Sequence, residues 1–175
     1  MDTVGRYRGR LKLFQERYNY QTELTKSLDK RNTKFKQSTI NEIVLWKVNR
    51  YAAFRPGTLK EINRLTALKP GEHRKGDACL RSLLGEDGVD LPMASSIMRF
   101  RNPAVFQIVD RRAYRAIYGV KYPLYRSTPE NRKIEVYFDY LDALRKYADH
   151  RRLRFRIMDR VLYVFDKEKN GLLGS

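Results

Sequence analysis

Apolar residues recur at spacings of three and four along most of this chain, and no pair of segments alternates convincingly as strands do. Thr39-Ile40-Asn41-Glu42 has the capping-box form, which predicts a helix starting there with Ile40, Ile43, Val44 and Val48 on one face and ending before Pro56-Gly57. Thr58-Leu59-Lys60-Glu61 repeats the form and predicts a short helix carrying Leu59, Ile62 and Leu65, broken by Pro70-Gly71. A third helix is expected from about Glu72 to Leu84, with Cys79, Leu80, Leu83 and Leu84 inward and Gly85 as its C-cap. A tight turn, Glu86-Asp87-Gly88-Val89-Asp90, then leads into a helix with Pro92 in its first turn, stopped by Asn102-Pro103.

Beyond a loop, a helix is expected from near Asp110 to Gly119. Another starts at Thr128-Pro129, in which Ile134, Tyr137, Phe138, Leu141, Leu144 and Tyr147 recur. Residues 153–157 alternate like a strand, yet Ile157, Val161 and Phe165 continue at helical spacing, so helix is expected to about Asn170-Gly171. The first 37 residues are basic and poorly periodic, consistent with one helix and a loose approach. The expected fold class is all-α.

Composition narrows the function. The 175 residues carry 37 Lys plus Arg against 20 Asp plus Glu, a net charge of +17 that calls for a polyanionic partner. Hydrophobic residues at 42% suffice for a core, which excludes wholesale disorder. A single cysteine, Cys79, excludes a disulfide framework, a thiolate zinc site and an iron–sulfur cluster, and His73 and His150 alone do not make a histidine-rich metal centre. No cofactor is expected. No apolar run approaches the roughly 20 residues that span a bilayer, and MDTVGRYRGR has no signal-peptide core, so the expectation is a soluble monomer, cytoplasmic and nucleoid-associated, or nuclear.

The charge is uneven. Residues 1–37 have 10 basic against 4 acidic side chains, residues 38–85 have 9 against 4, and residues 121–175 have 13 against 8. Residues 86–120 are nearly balanced, with 5 against 4. A membrane-surface role would want an amphipathic helix with a concentrated basic face, and the best amphipathic helices here carry mixed charge. Nucleic acid is the better partner.

The balanced window is also the most patterned. Two short helices joined by Gly88-Val89 resemble the helix-hairpin-helix motif, whose hairpin amides and helix N-terminus hold a DNA phosphate. The stretch GVDLPMASSIMRFRNPAVFQIVDRRAYRAIYG then places Asp110 sixteen residues after Ala94, and Arg115 five residues further on. In this, residues 80–119 resemble the helix-hairpin-helix DNA glycosylase superfamily, the endonuclease III and adenine-glycosylase relatives.

The resemblance implies two helical lobes: residues 38–120 with the hairpin and Asp110, and residues 1–37 packed with residues 121–175. It implies double-stranded DNA with a damaged or modified base as partner, and Asp110 as the catalytic carboxylate. Breaking an N-glycosidic bond develops positive charge on the deoxyribose, which a fixed anion stabilises. The plainer alternative makes Asp110 an N-cap of the 110–119 helix. The hairpin residues Gly88, Val89 and Asp90, with Arg111, Arg112 and Arg115, are the implied DNA contacts.

Bifunctional members carry a Schiff-base lysine at the position of Pro92, and no Lys occurs from 76 to 120, so hydrolysis by water without strand cleavage is implied. Two departures stand out. Asp90 replaces the second hairpin glycine and instead suits a cap of the next helix, and Arg112 replaces the usual His or Asn. The base pocket or wedge would come from Trp46, Lys47, Asn49, Arg50 and Tyr51, with Trp46 equally readable as a core aromatic. Tyr114, Tyr118 and Phe106 read as packing, His73 and His150 as solvated, and Cys79 as inert core. The excised base, repair or defence against foreign modified DNA, a non-catalytic DNA-binding module and an RNA-binding protein all stay open at this level.

Overall fold

The computed structural model describes residues 21–30, 34–47 and 53–171. Among them are eight α-helices, three short 3-10 turns and no strand, so the chain is all-α over this extent. It divides into two compact units, residues 1–52 and 53–175.

In the first unit, α1 (Thr22–Asp29) buries Leu24 and is followed by α2 (Gln37–Lys47). α2 starts two residues before the predicted cap. Thr39 is not its N-cap: the Thr39 hydroxyl reaches back to accept from the Lys36 amide at 3.4 Å, as the third helical residue does in a capping box. Its predicted apolar face is not a buried one, because Ile40 and Val44 are exposed and Ile43 only half-buried while Thr39 is buried; Val48 lies outside the described residues.

The second unit begins with α3 (Pro56–Arg64), which uses Pro56 at its first turn, again ahead of the predicted Thr58 cap. The missing cap comes from elsewhere. The Glu86 carboxylate accepts from the Arg55 amide at 3.2 Å and from the Thr58 hydroxyl, and Glu61 pairs with Arg64 instead. After Leu65–Ala67 and His73–Gly76, both 3-10, α4 (Asp77–Leu84) turns Cys79, Leu80 and Leu83 inward. Gly76 is forced by packing, since a Cβ there would sit 2.7 Å from the Phe106 ring.

α5 (Leu91–Arg101), α6 (Arg111–Tyr118), the 21-residue α7 (Glu130–His150) and α8 (Met158–Lys169) complete the unit. Leu80, Leu83, Met98, Phe106, Tyr137, Leu141 and Met158 belong to one buried cluster, so residues on both sides of position 120 share a core. Tyr147, expected on the inner face of α7, is exposed. On α8 the inner residues are Met158, Leu162 and Asp166 rather than Ile157, Val161 and Phe165, a face offset by one position. On that face Asp166 is fully buried and paired with two arginines of α6.

His73 also departs from expectation. It is buried, with Nε2 3.0 Å from Asp142 Oδ1 and its ring tilted against Phe138. His150 and Cys79 match their readings: His150 is exposed, and burial pushes the Cys79 thiol up to about 12.

Candidate nucleic-acid-processing site

Asp110 is delivered by a segment whose backbone is clamped on three sides. The Val109 amide donates to Ser95 Oγ at 3.1 Å, Tyr137 Oη donates to the Gln107 carbonyl at 3.0 Å, and Tyr140 Oη donates to the Ile108 carbonyl at 2.9 Å. The Gln107 side chain, fully buried, accepts from the Asp159 amide at the start of α8. Buried backbone outside helix and sheet needs such partners, and here α5 and α7 supply them, while α8 holds the Gln107 side chain.

Asp110 itself is the N-cap of α6. Its Oδ1 accepts from the Ala113 amide at 2.7 Å, and its carbonyl accepts from the Tyr114 amide. Oδ2 has no hydrogen-bond partner among the described residues. One oxygen is thus fixed in place and the other is available, in a half-buried side chain beside the positive end of a helix.

Two clefts flank this carboxylate and share it, together with Tyr163, in their walls. One, of about 420 Å³, is lined among others by Arg111, Arg112, Arg126, Tyr122 and Tyr125. The other, of about 410 Å³, has Phe100, Ile108, Ala113 and Val164 around the Arg99–Asp159 pair. Both fall in the size range of ligand pockets. Among the described residues, no lysine lines either cleft.

The Tyr122 hydroxyl is buried, with no hydrogen-bond partner among the described residues. Burial raises it far above the ordinary tyrosine range, and the charges of Asp90 and Asp110 raise it further, so it stays a protonated donor.

The hairpin between α4 and α5 borders a third, polar cleft of about 270 Å³ that includes Gly88, Val89, Asp90, Arg126 and Lys133. Gly88 has φ +76°, a left-handed conformation that suits glycine. Asp90 caps α5 through the Leu91 amide at 2.8 Å, as its departure from glycine suggests. Its charge is met by Lys133, whose Nζ lies 2.8 Å from the same oxygen. The hairpin is anchored from behind by Glu86, held to Thr58 and Arg55, and by Arg55 Nη2 on the Gly85 carbonyl. The Thr58 hydroxyl and then Arg55 hold the Glu86 carboxyl below the usual range, with burial opposing them.

The implied DNA contacts separate into two groups. Arg111 is exposed on the first cleft. Arg112 and Arg115 instead turn inward, and both bind the fully buried Asp166, Arg112 at 3.0 Å and Arg115 at two points. Of the expected base-pocket residues, Trp46 is half-buried in the first unit, its indole N–H donating to Thr25 Oγ1 at 2.9 Å, and Lys47 is exposed at the end of α2. Asn49, Arg50 and Tyr51 lie outside the described residues.

Comparison with family models, curated proteins and solved structures finds no match for this chain. The site therefore rests on its own geometry. Among the described residues, no group of three or more His, Cys, Asp and Glu is placed to hold a metal ion, and no helix is long and apolar enough to cross a membrane.

The sequence reading missed Tyr122, Arg126, Phe100, Asp159 and Asp166. Only Asp166 left a signal. It continues the inward 158–162–166 series with a carboxylate, and a charge in an apolar stripe demands a buried partner.

Proposed function

We propose that this protein is a monofunctional DNA glycosylase of the helix-hairpin-helix type, which hydrolyses the N-glycosidic bond of a damaged or modified base. The observation that carries the reading is the Asp110 carboxylate: one oxygen fixed on α6, the other without a hydrogen-bond partner among the described residues, between two ligand-sized clefts. The α4–hairpin–α5 unit beside it and the +17 charge are what duplex binding requires.

In this mechanism the target nucleotide leaves the duplex and its sugar comes to lie against Asp110. The bond from C1′ to the base nitrogen breaks, and its electron pair leaves with the base. The negative Asp110 stabilises the positive sugar, water adds its oxygen to C1′, and the water proton passes to the base or to solvent. Water is the nucleophile in this reading, in keeping with clefts that have no lysine among the described residues that line them. The two-lobed glycosylase fold, and a role in repair or in defence against foreign modified DNA, belong to the same proposal.

Duplexes each carrying one modified base, including phage DNA with modified cytosines, test it by the appearance of alkali-labile abasic sites. Release that disappears in Asp110→Asn while duplex binding persists is expected, with no adduct trapped by borohydride. Absence of release from every duplex overturns the proposal. A robust borohydride adduct overturns the monofunctional assignment.

A non-catalytic DNA-binding module is the second reading, favoured by the cap that Asp110 provides to Ala113. It predicts that Asp110→Asn changes nothing, because asparagine caps as well as aspartate.

A further inference from the structure

The two clefts at Asp110 differ in chemistry. The first has Arg111 and Arg126 exposed along it, which suits phosphate. The second is largely apolar around one buried ion pair: Arg99 Nε lies 2.8 Å from Asp159 Oδ2, and Arg99 Nη2 donates to Asp159 Oδ1 at 3.2 Å. Both members of that pair are more than nine-tenths buried. Phe100 stands at the same cleft 72% exposed, with the Arg99 guanidinium over its ring.

We infer that the cleft lined by Phe100, Ile108, Tyr163 and Val164 is a nucleobase pocket that selects a neutral, carbonyl-bearing base over a cationic, alkylated one. The inference rests on the reading of Asp110 as the residue facing the sugar. C1′ is the atom joined to the base, so a base pocket has to share a wall with the carboxylate, and this cleft does.

Selection follows from what is already occupied. A cationic base is held by open aromatic faces or an unpaired carboxylate. Here Phe100 carries the Arg99 guanidinium 4.9 Å from its ring centroid, and Tyr163 carries Arg112 at 5.9 Å. Asp159 is spent on Arg99, and Asp110, the other carboxylate in the wall, is committed in this reading to the sugar rather than to the base. A second cation in this cleft meets Arg99 and Arg160. Guanidinium groups only donate, so the ligand atoms that suit them are carbonyl oxygens.

The leaving group gives a second, independent reason. A neutral base departs with the electron pair of the broken bond and carries negative charge onto its carbonyl oxygens. Arginines at those oxygens stabilise that charge as it forms. A cationic base departs neutral and gains nothing from them.

Two purines share the O6 carbonyl and differ in charge, neutral 8-oxoguanine and cationic 7-methylguanine; each is placed singly in otherwise identical duplexes, with a uracil duplex as a second neutral substrate, and every release rate is divided by the uncatalysed loss of the same base. Single-turnover release by the full chain is expected to favour at least one neutral base over 7-methylguanine. The variant Arg160→Ala, at an exposed position, should slow neutral release about tenfold or more without slowing cationic release. Faster release of 7-methylguanine than of either neutral base overturns the inference and leaves the glycosylase reading standing.

Titration of the methyl-labelled full chain with 8-oxodeoxyguanosine, deoxyuridine and 7-methyldeoxyguanosine decides the matter without catalysis. Shifts at Ile108, Ala113 and Val164 from a neutral nucleoside, weakened in Phe100→Ala, support the pocket even if no duplex loses a base. No shift, or an equal one from the cationic nucleoside, overturns it.

Discussion

Arg115 grips Asp166 at two points, Nε to Oδ1 and Nη2 to Oδ2, each at 2.8 Å, around a carboxylate with no solvent exposure. Arg112 and the Asn170 amide bind the same carboxylate, so α6 and α8 are joined by one shared anion. The helix that Asp110 caps is thereby held from its far side. This contact, rather than a phosphate, is the partner that Arg115 finds in the folded chain.

Removing that anion leaves two partly buried guanidinium groups facing each other. Asp166→Ala is expected to destabilise the protein by about 3 kcal/mol, the range for breaking a buried pair from one side. Urea denaturation measures it. The Arg115 hydrogen bonds hold the Asp166 carboxyl down to about 2, against burial, from an ordinary 3.8. Its stabilisation is therefore complete above pH 4 and disappears as the pH falls from about 4 to about 2. A wild-type stability that is flat across this window, or matched there by Asp166→Ala, contradicts the assignment.

Asp110 separates charge from structure. Asparagine keeps an oxygen for the Ala113 amide, so Asp110→Asn should melt within about 0.5 kcal/mol of wild type, while Asp110→Ala should cost about 1 kcal/mol through the lost cap. Base release should fall at least about a hundredfold in both, as expected when a charge at the transition state is removed. If release tracked the melting temperature instead, the carboxylate would be a cap and nothing more.

Much of this was legible in the sequence, and the failures share a cause. The α4–hairpin–α5–α6 series, the proline at the start of α5 and the Asp90 cap are local, written in spacing and in residues with one dominant backbone habit. The caps of α2 and α3 differ from the reading because Thr39 accepts the Lys36 amide from inside the first turn, while Thr58 donates to Glu86, remote in sequence, whose carboxylate accepts the Arg55 amide. His73 reads as solvated, and Asp166 escapes the reading, for the same reason. A polar residue enters a core when distant partners, here Asp142, Arg112 and Arg115, meet it there. The second cleft was illegible because its wall is drawn from α5, the Ile108 segment, α6 and α8 together.

The arginines of the first cleft should sort by salt dependence. Arg111→Ala and Arg126→Ala are expected to weaken binding to any duplex and to lower the slope of log affinity against log salt by about one each. Arg115→Ala should leave that slope unchanged and lower stability instead, because its charge is already paired with Asp166. Fluorescence anisotropy from 50 to 200 mM salt, about the span over which such contacts are resolved, reads the difference. A reduced slope for Arg115→Ala, with unchanged stability, would return that residue to the DNA interface.

His73 gives the protein a second, milder pH window well above that of Asp166. Burial lowers its pKa from the ordinary 6.5, and Arg74 and Arg145 lower it further, while Asp142 at 3.0 Å opposes them. Burial wins, so the folded chain holds the imidazole neutral at a pH where the unfolded chain has already taken up a proton. The unfolded state then binds more protons, and stability falls as the pH drops below about 6.5, levelling off beneath the folded pKa. A carboxylate beside a histidine is usually taken to stabilise the cation, and that arrangement would produce the opposite slope, with stability rising on acidification. Urea midpoints between pH 7.5 and 5 distinguish the two, and His73→Gln, which cannot titrate, should flatten the slope in this range. Rising stability toward pH 5 in the wild type would mean that Asp142, not burial, governs His73.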